Sequence, residues 1–84
     1  MTERIIKLCE HHFGCSIKKR SKARFIVHAR AVALVLLREQ GLSHAECANL
    51  LGISRCNAGN RWRAALKNYE IMSDVEIIRE QCDK

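Results

Sequence analysis

The chain has 84 residues, no proline, four glycines and only 5% aromatic residues, with 48% of positions apolar. This bounds it to one domain and excludes a disordered tail, leaving a small helical bundle built on aliphatic packing. Its formal charge of +6 is uneven: residues 1 to 17 balance, eleven cations face Glu39 and Glu46 between Lys18 and Lys67, and the end from Glu70 is acidic. That asymmetry points to a polyanion-binding face rather than to general solubility.

Taken in chain order, Ile5, Leu8, Cys9 and Phe13 recur at helical spacing and predict an amphipathic helix over residues 3 to 13, stopped by Gly14. A basic loop follows over 15–24, in which Lys18, Lys19, Arg20, Lys22 and Arg24 place five cations in seven residues. No core can bury such a cluster, so it is either a solvated loop or a phosphate-binding one. Ser21 is a candidate cap for a long helix reaching about Gln40. Ala31 to Leu37 is apolar all round, as expected of a central helix packed on several sides. Gly41 should end it in a left-handed conformation.

Ser43 and Glu46 form a capping box that predicts a third helix from His44 to Leu51. Gly52 ends it, and Ser54 caps a fourth running to about Tyr69. A second box, Ser73 to Glu76, predicts a short acidic fifth helix over 73–82, carrying Val75, Ile77 and Ile78. No alternating strand pattern and no internal repeat occurs, so the fold class expected is all-α. The whole of 1–84 reads as a single DNA-binding domain whose helix-turn-helix covers 43–69.

The case for that unit rests on local requirements. A helix-turn-helix needs a small residue at the helix crossing, a glycine in the turn, an aliphatic residue after it and then a cap. Ala48, Gly52, Ile53 and Ser54 supply these in order. On a helical wheel Ala58, Trp62, Ala65, Leu66 and Tyr69 share the inward face of the fourth helix. Cys56, Asn57, Asn60, Arg63 and Lys67 occupy the other face, which carries no acid. Ser54 and Arg55 stand at its start. Such a face suits the major groove, where Asn pairs with adenine and Arg with guanine edges.

Other chemistries find little support. Five cysteines, Cys9, Cys15, Cys47, Cys56 and Cys82, are an odd number without a CxxC pair. Reduced, mostly buried thiols in a cytoplasmic protein are expected, without a secretory leader, a bound metal or a cofactor. Cys9 with His11 and His12 is the weak zinc alternative. His28 reads as a partly exposed or hydrogen-bonded core histidine. No Gly-rich phosphate loop and no paired acids suggest an enzyme, and no catalytic residue is assigned. The apolar run is too short to cross a bilayer.

From Ile5 to Trp62 the sequence resembles the C-terminal DNA-binding domain of the bacterial replication initiator DnaA, a Trp-repressor-like helix-turn-helix domain. The match runs through FGCSIKKRSKARFIVHAR, AVALVLLREQGLSHAE and LLG. The resemblance implies duplex binding through both grooves. It places the family's minor-groove arginine at Lys22 and its backbone-contacting bases at Arg30 and Arg38. The family's Asp-His-Thr-Thr reads Arg55, Cys56, Asn57 and Ala58 here, so any new base preference is expected to concentrate there. From Gly41 onward the chain is also similar to region 4 of bacterial sigma factors, in LGIS followed by Ala58, Arg61 and Ala65. Without the initiator's nucleotide-binding domain, ATP-driven action by this chain alone is not expected.

The function expected is sequence-specific binding of double-stranded DNA in transcription regulation or replication initiation. The alternative is a small interaction module that docks on that machinery without reading sequence. A homodimer or a protein partner engaged through the C-terminal helix remains open, and so does packing of that helix on the bundle.

Overall fold

The computed structural model describes residues 2–14 and 24–82, with only the backbone of Arg24 and Phe25. Five helices follow in order: α1 (Thr2–Phe13), α2 (Arg24–Glu39), α3 (His44–Leu51), α4 (Arg55–Leu66) and α5 (Tyr69–Cys82). There is no strand among the described residues, and the fold is a small all-α bundle. The expected start of α2 at Ser21, and Lys18, Lys19, Arg20 and Lys22 of the basic loop, lie outside the described residues.

The apolar run from Ala31 to Leu37 makes α2 the central helix, with every residue of that run buried. Side chains all round it require partners on several sides. Ile5, Ile6 and Cys9 of α1, Cys47, Ala48 and Leu51 of α3, Ala58 and Ala65 of α4, and Val75 and Ile78 of α5 join its core. The fifth helix therefore spends its apolar stripe within this chain, covering α1 and α2.

The turns follow from local chemistry. Gly41 adopts φ 92°, and the N–H groups of Gly41 and Leu42 donate to the carbonyls of Arg38 and Leu37, a Schellman closure of α2. Gly52 takes φ 70° and ψ 31°, where a side chain is disfavoured, and ends α3 over the Ala48 carbonyl. The Ser43 box forms as expected, with Ser43 Oγ accepting from Glu46 N at 3.2 Å and Ser43 N donating to Glu46 Oε1 at 3.3 Å.

The boundary between the last two helices differs from the sequence expectation. The fourth helix ends at Leu66 rather than Tyr69, and α5 begins at Tyr69 rather than Ser73. Asn68 supplies the reason: its Oδ1 accepts from Ile71 N at 3.3 Å, capping α5 one turn before the Ser73–Glu76 pair. Ser73 consequently lies inside the helix. The inward face assigned to α4 is corrected with it. Tyr69 is 86% exposed, because α4 has ended before it and it opens α5 instead, and Leu66, the last residue of α4, is 44% exposed.

Polar contacts tie the ends of the helices together. His28 Nε2 donates to Asp74 Oδ2 at 2.6 Å, joining α2 to α5, and His12 Nε2 lies 3.8 Å from Asp74 Oδ1. Phe13 stands edge-on to both His12 and His28. Arg79 grips Glu39 with both Nε and Nη2, at 3.0 and 2.6 Å. This pair is partly exposed, so it orients α5 more than it stabilises it.

Candidate nucleic-acid interface

The α3–turn–α4 unit presents α4 to solvent along one side. Ser54 Oγ accepts from Asn57 N at 3.2 Å, which fixes the first turn of α4. Ala58 and Ala65 are buried, and their small side chains let α4 approach the core closely. Ser54, Arg55, Cys56, Asn57, Asn60, Arg63 and Lys67 are all exposed, so the outward face inferred from the wheel is the outward face of the structure. With Arg61, also exposed, this segment displays four cations and no acid.

The remaining candidates are placed differently. Arg24 opens α2. Arg30 is partly buried on α2. Arg38 is turned across the end of α2: its Nη1 donates to the Leu42 carbonyl at 2.6 Å, and its guanidinium lies 4.9 Å from the centre of the Trp62 ring. Its Nε is buried without a hydrogen-bond partner. Arg38 is therefore a strut between α2, the turn and α4 as well as a positive charge at this face. Trp62 is only partly buried, packing against the core on one side.

Sequence reasoning missed what lies on the other side of Trp62. The His44 ring stands edge-on to the indole, with centroids 5.5 Å apart and planes at 82°. It also rests on α4 at Gly59, where an added Cβ would come within 3.0 Å of His44 Nδ1. A mid-helix glycine costs about 1 kcal/mol relative to alanine. Here the missing Cβ makes room for the ring of α3. The signal was present in the sequence as an unexplained glycine inside a helical pattern, but its partner is fifteen residues away in the chain.

Arg38, His44, Arg55, Asn60 and Arg63 line a groove of about 780 Å³ between the start of α3 and the outer face of α4. No carboxylate lines it among the described residues. The nearest acid in sequence, Glu46, is held back on Ser43 N. Partial desolvation, then the charges of Arg38, Arg63 and Arg55, hold the His44 imidazole below its ordinary range. Three guanidiniums converge on this groove, a cationic surround that an anion would offset.

Cys15 lies outside the described residues, and the other four cysteines join no metal-ligating cluster among the described residues. Cys9 and Cys47 are buried thiols, Cys82 is half-buried and Cys56 is exposed on α4. Burial, with lesser contributions from Cys82 and Glu10, pushes the Cys9 thiol up to about 12. Among the described residues, no three metal-ligating side chains gather, and no helix is long and apolar enough to cross a membrane. No family model matches the chain, and no curated protein matches it.

Proposed function

We propose that this protein binds double-stranded DNA in a sequence-specific manner, inserting α4 into the major groove, and acts in transcription regulation or replication initiation. The observation that carries the reading is the exposed, acid-free face of α4 set behind a glycine turn and a serine cap. Asn57 lies in the first turn beside Arg55, where helix-turn-helix proteins touch base edges, and Asn60 follows one turn later. Asparagine offers adenine a donor and an acceptor together, and arginine does so for guanine with two donors. Lys67 lies beyond the last turn and suits a phosphate. The resemblance to the initiator's DNA-binding domain supports the same orientation, with Arg30 and Arg38 as backbone contacts and Lys22 in the minor groove. The mode is binding without catalysis, needing no cofactor, in the cytoplasm.

The rival reading is an interaction module, favoured by one observation: Leu66, Tyr69 and Ile77 leave apolar surface exposed on α4 and α5. The two separate by salt. Phosphate contacts release counterions, so duplex affinity should fall steeply and linearly on logarithmic axes as salt rises. Anisotropy with a labelled duplex across a salt series checks this. A shallow slope, or no binding at low salt, would place the interaction module first.

A further inference from the structure

The groove over His44 asks for more than base reading. We propose that it seats a phosphate group, and that His44 takes up a proton from solvent as the phosphate enters. A nucleic-acid backbone is the source that rests on the reading above, and a small free phosphate is the other source of the same chemistry.

His44 sits on the first position of α3, its ring bounded by Gly59 beneath and the Trp62 indole beside it. Arg38 reaches this place from α2, and Arg63 and Arg55 reach it from α4. From its own helix the facing charged group is Glu46, already bonded to Ser43 N, and the exposed Cys56 thiol stands on the α4 wall. Positive groups from two elements thus surround the His44 ring in an open trough.

A phosphate set among Arg38, Arg63 and His44 reverses the balance at the imidazole. The cationic repulsion that disfavours the protonated ring is offset, and that ring gains a charge-assisted hydrogen bond. Linkage then fixes the sign: a ligand that favours the protonated ring binds best at pH below the unliganded His44 midpoint. Its advantage is lost as pH rises through the liganded midpoint, by up to about tenfold in affinity per pH unit between the two. Arg55, farther out on the rim, remains available to a base edge, so phosphate seating and base reading are compatible.

The test is a pH titration of the His44 ring Cε1–H by NMR, at constant ionic strength, for the whole chain. It is run without ligand, with inorganic pyrophosphate and with a random-sequence duplex, and His44→Gln assigns the signal. The proposal predicts a midpoint below the ordinary imidazole range without ligand and at least one pH unit higher with duplex. Arg63→Gln, on a solvent-exposed position of α4, should shrink that rise, and His44→Gln should bind duplex with a flatter pH dependence. Duplex binding with an unmoved His44 midpoint would overturn the seat and leave the DNA reading standing. If duplex fails to bind, the DNA reading falls and pyrophosphate decides: a raised midpoint supports a seat for small phosphates, and an unmoved one overturns it.

Discussion

At the scale of the residue, Gly59, His44, Trp62 and Arg38 form one layered contact, and each has a measurable consequence. Gly59→Ala should improve helix propensity by up to about 1 kcal/mol and lose part of that as the His44 ring gives way. The net change in melting free energy should stay small while the His44 ring resonance moves and duplex binding weakens. An unshifted resonance would mean that the ring does not rest on Gly59. Trp62→Ala removes the platform under both Arg38 and His44. Because the indole is only partly buried, the expected cost is about 2 kcal/mol, below the range for fully buried aromatic residues. Thiol accessibility gives a separate check. Thiol-directed labelling near pH 8 should modify Cys56 before Cys47 and Cys9, and Cys9, held protonated by burial, reacts only on unfolding. Above pH 9 the unfolded chain releases the Cys9 proton before the folded one does. The contribution of this group to stability is therefore complete below pH 9 and lost towards pH 12.

At the scale of the element, caps decide the boundaries, and they account for what could be seen in advance. The third helix has the bounds expected from Ser43, Glu46 and Gly52, because a capping box and a glycine stop are written within a few residues. The α4–α5 boundary was misplaced because two capping signals compete, and Ser73-x-x-Glu76 is the more conspicuous one. The Asn68 cap starts the helix earlier, and the added turn brings Ile71 and Met72 against the core beside Val75 and Ile78. Asn68→Ala should therefore cost about 1 kcal/mol, whereas Ser73→Ala, inside α5, should cost nothing or stabilise slightly. Thermal melts of the two variants check this, and the opposite order would restore the start at Ser73. The outer face of α4 was legible from its periodicity. The groove was not, since it depends on how α2, α3 and α4 meet in space.

At the scale of the whole molecule, the charge asymmetry of the sequence becomes an arrangement. The acid-rich fifth helix packs by its apolar stripe on α1 and α2, and the acid-free fourth helix carries the cations. If Lys19 and Lys22 contact phosphates, Lys19→Ala with Lys22→Ala should lower the magnitude of the salt slope by about 1.8 units and weaken all duplexes alike, and an unchanged slope would mean that they do not. Variants of the α4 face should behave differently. Arg55→Ala and Asn57→Ala should each remove roughly 1 to 3 kcal/mol of discrimination at one or two base pairs, with non-specific affinity largely intact.

Selection of bound sequences from a pool of random duplexes tests the central claim most directly. Sequence reading by α4 predicts enrichment of a short motif, with its half-site pattern reporting whether one or two copies bind, and loss of preference at particular positions in Asn57→Ala. Retention of duplexes without enrichment of any motif would contradict that claim.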